Sequence, residues 1–523
     1  MTGERLTVSG LVRRWAEEQP EQRFVVTPDE SLTYGELERA TAAVASWFAA
    51  MGVGRGTRVA VLMPNGTDWP VVAFGASRAG ATLVPLSTLL RPPELAAQLR
   101  TAGVEHLVLV SGFLGRDYLA DLASIAPGLV PGTGLMVEEV PRLRSITTWD
   151  RSLAERDDDL HTDLRADLVD ALDASVRPAD DLAVIFTSGS RGAPKGVIHT
   201  HGGALGATDA GLETRRLGRD DRLYIPMPFF WVGGFGTGLL SALVAGATLL
   251  TEARPEPAET LPFLEREQVT LFRGWPDQAA ALARDEHFAA ADLGSLRPGS
   301  LDAVLPPALQ APPGTRANLL GMTESFGPYT GHRLDQTLPP GKEGSCGRPF
   351  DDVEVRITDA DTGAPITDGG VGEIQLRGPN MMRGICTRPR VDVFTVDGFY
   401  PTGDLGRLDA DGYLFLTGRC DDMFKVRGAT VYPSEVESAL RTIDGVAAVH
   451  VVDIVDVERD GELAVAALVV GDGTLAVDDL QRESKARLSA IKVPRHWRVV
   501  AHDEVPRTST GKVDKRAVQR LFD

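Results

Sequence analysis

The apolar positions in the first 110 residues change period again and again. Thr33–Met51 (TYGELERATAAVASWFAAM) repeats apolar residues at helical spacing after a short strand. Arg58–Met63 (RVAVLM) is a short apolar run stopped by Pro64, Asn65 and Gly66, which reads as a buried strand and a turn. A helix over Trp69–Ala79 and an extended run, ATLVPL, come next. This alternation predicts a parallel sheet covered by helices. Glu155–Pro178 is charged and irregular and reads as a surface connection. The rhythm resumes at Asp181–Thr187 and continues to about residue 330.

Beyond that the pattern shortens. Val353–Ile357, Gly372–Arg377 and Gly412–Leu416 are short strands split by Gly, Asp and Pro, the mark of a small all-β unit. From about residue 422 the pattern predicts a helix near Ser434–Thr442 and strands Ala447–Ile454 and Leu463–Val470. A helix Asp478–Ala490 completes a compact α+β domain of about a hundred residues. Leu223–Thr251 carries no formal charge and is long enough to span a bilayer. Its two prolines (Pro226, Pro228) and five glycines instead predict a buried loop followed by a core helix.

Composition narrows the class. A chain of 523 residues buries a core without disulfide or metal staples. Its net charge of -19 argues against a general nucleic-acid binder but leaves room for a local basic pocket. Cys346, Cys386 and Cys420 are far apart and lack zinc spacing, as in a reduced cytosolic protein. The N-terminal segment has no apolar signal core, and the final RLFD is no lipidation or peroxisomal signal, so the expected location is the cytoplasm with no membrane span.

The sharpest motif is DLAVIFT-SGSRGAPKG-VIHTHGG (181–203). An apolar strand ending at Thr187 enters a loop with Ser188, Gly189, Ser190, Gly192, Lys195 and Gly196. Glycines let backbone amides approach an anion, hydroxyls donate to it, and Lys195 adds a compact positive charge. Gly196 follows the lysine, so the loop is not a Walker A sequence. Only seven lysines occur in the chain, and Lys195, Lys425 and Lys512 sit in glycine-rich motifs.

Four further segments follow in order: GMTES (321–325), FYPTGDLGRLDADGYLFLTGRCDD (399–422), KVRGATVYPSEVE (425–437) and PRTSTGK (506–512). Together with TYGELERA and RVAVLMPNG, they make the chain resemble the adenylate-forming superfamily of acyl-CoA synthetases over nearly its whole length. The resemblance implies an α/β and α+β architecture. A large N-terminal domain (1–418) would have two βα-layered subdomains and a small β-barrel (about 331–418). A hinge at 419–421 would precede a mobile α+β C-terminal domain (422–523).

The resemblance also implies roles. Thr187, Ser188, Gly189, Ser190 and Lys195 would hold the β,γ-phosphates of ATP. Thr323 would contact the α-phosphate and Glu324 would ligate Mg²⁺, a hard cation that prefers oxygen. Asp404 and Arg419 would hold the ribose, Asp421 would be the hinge, Lys512 would bridge carboxylate and α-phosphate, and Gly428 would line the thiol tunnel. Phe230, Trp231 and Gly233 of PFFWVGG, with Trp275 of GWP, would wall the acyl pocket. Trp231 stands where a histidine is common, which favours a compact or aromatic acid. Plain core packing is the competing reading of both tryptophans. The family's GG-A segment and the aromatic residue before GMTE are replaced here by LDAVLPPAL and Leu320.

The implied activity is an acid–thiol ligase that uses ATP, Mg²⁺ and CoA. Two alternatives stay open on the sequence. One is an adenylating enzyme with another acceptor, such as a carrier protein acting in trans, an amine, or an oxyanion such as nitrite. The other is a non-catalytic nucleotide-binding relative. An α-amino acid substrate is disfavoured, because PFFWVGG contains no Asp.

Overall fold

The computed structural model describes residues 7–155, 162–187, 194–360, 362–420, 424–426, 429–431, 433–456, 462–471, 475–488, 492–508 and 513–522. The chain gathers into two compact units, 1–354 with 377–398, and 355–376 with 399–523.

The first unit contains two large sheets. One has eight strands, and its centre is parallel. Thr82–Pro85, Arg58–Leu62, His106–Leu109 and Ser145–Thr148 lie side by side, and Asp181–Thr187 joins beyond Thr82–Pro85. Lys195–Thr200 then turns back antiparallel on Asp181–Thr187. The other sheet has five strands, four of them parallel: Leu271–Phe272, Arg222–Tyr224, Thr248–Leu250 and Arg23–Val26. The alternating sequence rhythm therefore folds as expected. Uninterrupted apolar strands such as Val59–Leu62 are buried because both sheet faces are covered.

The helices Tyr34–Ala50 and Asp68–Arg78 fill the largest core with side chains from both sheets. The first begins with a capping box. The Thr33 side chain accepts from the Glu36 amide, and the Glu36 carboxylate accepts from the Thr33 amide. The helices touch closely at Gly75, where an added Cβ would lie 2.5 Å from Cγ1 of Val44.

The segment read as an irregular connection needs correction. Thr162–Ser175 is a helix. Its charge hides an inward face, because Val169 and Asp173 are buried. Asp173 faces Arg78 at 3.3 Å and also receives Arg13, so this carboxylate is neutralised inside rather than solvated. The uncharged stretch 223–251 is mostly buried, as expected, but strands lie at both of its ends where only a loop and a core helix were expected. It contains the strands Arg222–Tyr224 and Thr248–Leu250. Between them a π-helix, Gly233–Leu240, runs directly into the helix Ser241–Ala245. Gly234 is required there, since any side chain would collide with the Pro228 carbonyl.

The second unit begins with a four-stranded sheet, Glu354–Thr358, Gly372–Arg377, Tyr400–Leu408 and Leu414–Arg419. A hairpin (Phe424–Val426, Ala429–Val431), the helix Pro433–Leu440 and a three-stranded sheet follow. That sheet comprises Val446–Asp456, Glu462–Gly471 and His496–Val500. The helix Val477–Arg487 packs near its last strand. The division into units groups the four-stranded sheet with the C-terminal residues. The boundary expected at 419–421 does not coincide with this division, and Asp421 lies outside the described residues.

The close approach at Gly75 has a measurable consequence. Gly75→Ala should lower stability by about 1–3 kcal/mol, because the helix pair must part. Gly54→Ala should stay within about 0.5 kcal/mol, since nothing lies within 4 Å of the position. Urea unfolding midpoints of the two variants check this.

Candidate active site

Antiparallel pairing sets Thr187 opposite Lys195, so the strand entering the phosphate loop and the strand leaving it meet at its mouth. Ser188, Gly189 and Ser190 lie outside the described residues. The Lys195 ammonium contacts Oε1 of Glu324. The Glu324 side chain is 4% exposed and that of Lys195 30%, so the carboxylate is the desolvated partner. A buried carboxylate needs such a partner.

Glu324 is presented by a short 3₁₀ turn, Thr323–Ser325. Three sets of contacts fix it. The Thr323 carbonyl accepts from Nε2 of His199 at 2.7 Å. The Glu324 carbonyl accepts from the Met382 amide at 2.9 Å. Ser325 Oγ donates to the Gly327 carbonyl at 2.7 Å and accepts from the Met322 amide at 3.2 Å. Phe326 then adopts φ 55° and Gly327 φ 122°. Gly321 must be glycine, because an added Cβ would sit 2.5 Å from the Gly327 backbone.

The turn rests on the π-helix. The Phe326 ring packs on His199 (centroids 4.9 Å) and on Phe235 (6.0 Å), and a Cβ on Gly236 would meet it at 3.0 Å. π-Helical turns are frequent at functional sites. The same element carries the aromatic segment. The Phe235 amide donates to the Trp231 carbonyl at 2.9 Å. Phe230 and Trp231 meet edge-on at 5.1 Å, and Trp231 and Trp275 lie 5.6 Å apart. Phe230 is buried, Trp231 is half-buried and Trp275 is 42% exposed, so neither tryptophan is plain core. An added Cβ at Gly233 would lie 2.9 Å from the Met227 sulfur, near the flexible end of that side chain.

Asp404 and Arg419 are register partners on adjacent strands and pair at 2.7 Å. They line a cavity of about 180 Å³ together with Ser434, Glu437 and Lys515. Asp421, Gly428 and Lys512 lie outside the described residues.

Sequence reasoning missed two residues of this region. Asn65 is buried. Its amide nitrogen donates to the Met227 carbonyl (3.0 Å) and to Thr251 Oγ (2.9 Å), and its oxygen accepts from the Phe229 amide (2.8 Å). Its place in a Pro-Asn-Gly turn hid that role. His199 is fully buried. Strand alternation offered a signal, since Lys195 and His199 share one face.

A site with one buried carboxylate suits Mg²⁺, which is commonly held by one or two carboxylates plus substrate phosphates. Among the described residues no cluster of three or more His, Cys, Asp or Glu could hold a metal ion by itself. Glu324 offers the carboxylate oxygen that such a cation takes as a ligand.

Residues 12–386 match the AMP-binding enzyme family, and residues 435–512 match the AMP-binding enzyme C-terminal domain. The chain belongs to this family of adenylate-forming enzymes. Similar proteins along nearly the whole length are CoA ligases. One from Mycobacterium tuberculosis, a 3-[(3aS,4S,7aS)-7a-methyl-1,5-dioxo-octahydro-1H-inden-4-yl]propanoyl:CoA ligase, is 33% identical and covers 98% of this chain and 99% of its own. A feruloyl-CoA synthase from Amycolatopsis is 32% identical over 94% of both chains. The fold is similar to an anthranilate CoA ligase in complex with anthranoyl-AMP, with a TM-score of 0.79, 23% identity and coverage of 99% and 97%. The chain is accordingly an enzyme, an AMP-forming acyl-CoA synthetase. The non-catalytic reading is set aside. None of these relatives is named for a carrier-protein acceptor, and no described helix is long and apolar enough to cross a membrane.

Burial holds His199 and His201 neutral, with pKa values lowered to about 4. The unfolded chain binds protons at these positions below about pH 6.5, and the folded chain does so only near pH 4. Stability contributed by the neutral rings is therefore full above pH 6.5 and lost as pH falls towards 4. Nδ1 of His201 accepts from the Val8 amide at 3.3 Å, and an asparagine oxygen can take that place without titrating. His201→Asn should flatten the fall in melting temperature between pH 6.5 and 4.5, as read by thermal scans of both proteins.

Proposed function

We propose that this enzyme activates a compact carboxylic acid, aromatic or fused-ring, as its acyl adenylate and passes the acyl group to CoA. The observation that carries the reading is the π-helix Gly233–Leu240. It follows directly on the Phe230–Trp231 wall and supports the turn that presents Glu324. The relatives' names support the substrate class, since a saturated bicyclic dioxo-octahydroindenyl propanoate and a hydroxycinnamate are both compact ring acids.

In the first half-reaction a carboxylate oxygen of the acid bonds to the α-phosphorus of ATP. The bond from that phosphorus to the bridging oxygen breaks, and pyrophosphate leaves with the electron pair. Two anions must approach, so the residues' work is charge neutralisation and alignment. In this reading Thr187, Ser188, Gly189, Ser190 and Lys195 hold the leaving pyrophosphate. Thr323 and Lys512 face the α-phosphate, and Asp404 and Arg419 hold the ribose. Glu324 would hold Mg²⁺, which when bound supplies positive charge against the phosphates. Lys195 and Glu324 exchange their mutual contact for these ligands. The second half needs a different arrangement, with residues 422–523 turning about Asp421 and Gly428 lining the thiol path. The CoA thiol then gives up its proton to solvent, its sulfur bonds to the acyl carbon, the bond from that carbon to the phosphate oxygen breaks, and AMP leaves with the electron pair.

Pyrophosphate release should depend on a ring-bearing acid when aryl, fused-ring, short-chain and fatty acids and nitrite are screened with ATP and Mg²⁺. An acyl-CoA should appear when CoA is added. Turnover confined to fatty acids would overturn the substrate class, and adenylate without thioester would overturn CoA as acceptor. Trp231→Ala should shift kcat/KM by about 10-fold or more towards bulkier acids. An unchanged profile with lower stability would make Trp231 a packing residue. Lys512→Ala should lower adenylate formation by about 10²–10³-fold and leave thioester formation from supplied adenylate intact. Equal loss in both halves would refute that role.

A further inference from the structure

We infer that His199 is a positioning residue for adenylate formation, its Nε2–H fixing the Thr323 carbonyl and thereby the direction of the Glu324 carboxylate. The inference rests on the proposed roles of Thr323 and Glu324.

The strand Lys195–Thr200 explains the arrangement. Side chains two and four residues apart lie on one face, so Lys195 and His199 both point towards the Thr323–Ser325 turn. Lys195 takes the Glu324 carboxylate and His199 takes the carbonyl one residue earlier. One strand thus grips a three-residue turn at two points. The two grips differ in kind. The lysine is long and can let go for a phosphate, whereas the imidazole is short, fully buried and wedged against Phe326. A carbonyl accepts only, so Nε2 carries the proton and His199 is the Nε2–H tautomer. Its Nδ1 is buried without a partner among the described residues. A polar ring kept here despite that orphaned atom does one thing an apolar ring would not, namely donate to Thr323. Ser325 Oγ ties the flanks of the turn, and the Phe326 amide closes it on the Thr323 carbonyl at 3.0 Å. That bond and the His199 bond end on the same oxygen. Loss of the imidazole donor therefore loosens the atom on which the turn closes.

The test uses three variants of the full chain. His199→Phe keeps a ring against Phe326 and removes the donor. His199→Gln restores an N–H near the Nε2 position, and His199→Asn is too short to reach it. Mg·ATP affinity is read by calorimetry, adenylate formation by pyrophosphate release against Mg²⁺ concentration, and the second half-reaction by thioester formation from supplied acyl adenylate. His199→Phe and His199→Asn should weaken Mg·ATP binding and slow adenylate formation by about 10–100-fold. The Mg²⁺ requirement should rise, thioester formation should stay near native, and His199→Gln should recover most of the loss. Phe or Asn variants that match the native Mg²⁺ profile overturn the inference, as do equal losses in both halves without rescue by Gln. If the Phe variant does not fold, the contrast between Gln and Asn decides. A native protein that binds Mg·ATP but releases no pyrophosphate with any acid overturns the proposed function instead, and calorimetry then still decides the role of His199.

Discussion

One desolvated carboxylate governs the layout of this site. Glu324 is buried, and a buried charge is tolerated only where a partner and hydrogen bonds compensate it. Lys195 is the partner. Bringing the two together requires the strand after the phosphate loop to face the Thr323–Ser325 turn. It requires the turn to be pinned by the Met382 amide and by His199, and it requires a floor under Phe326. The glycines of the π-helix supply that floor by letting the backbone and the Phe326 ring approach each other. The larger architecture follows the same need. Two parallel-centred sheets with a shared helical core hold these short, irregular segments at fixed distances.

Much of the fold was legible in the chain because its strands are continuous apolar runs ended by turn residues. Arg58–Met63 and Asp181–Thr187 are of this kind, and each folds within a residue of its reading. The helix Thr162–Ser175 was not legible, because its burial depends on a remote residue. Asp173 looks solvated until Arg78, on another helix, comes within 3.3 Å. The π-helix was hidden for a related reason. Five glycines within an uncharged stretch announce close approach but not which backbone approaches which.

The site was legible as motifs and less so as geometry. Lys195, Thr323 and Glu324 stood out by their glycine-rich or signature contexts, and they meet in space. Asp404 and Arg419 meet as register partners on the neighbouring strands Tyr400–Leu408 and Leu414–Arg419, a pairing that the hairpin between them conceals from a linear reading. His199 and Asn65 escaped notice because each acts on backbone atoms far away in sequence. A hydrogen bond to a carbonyl 124 residues away leaves no trace in local periodicity.

Asn65 gives the aromatic wall an uneven stiffness. Its three hydrogen bonds rivet Met227 and Phe229 to the turn after strand Arg58–Leu62 and to Thr251. Two residues further on, the Trp231 ring meets its neighbours Phe230 and Trp275 through ring contacts, and Trp275 is 42% exposed. Directional bonds resist displacement sharply, whereas edge-on and tilted ring contacts are less directional. The wall is therefore rigid at the riveted end and compliant at its rim. In the proposed acyl pocket, variation in an acid's outer bulk would meet the yielding end, while the riveted end would keep its shape.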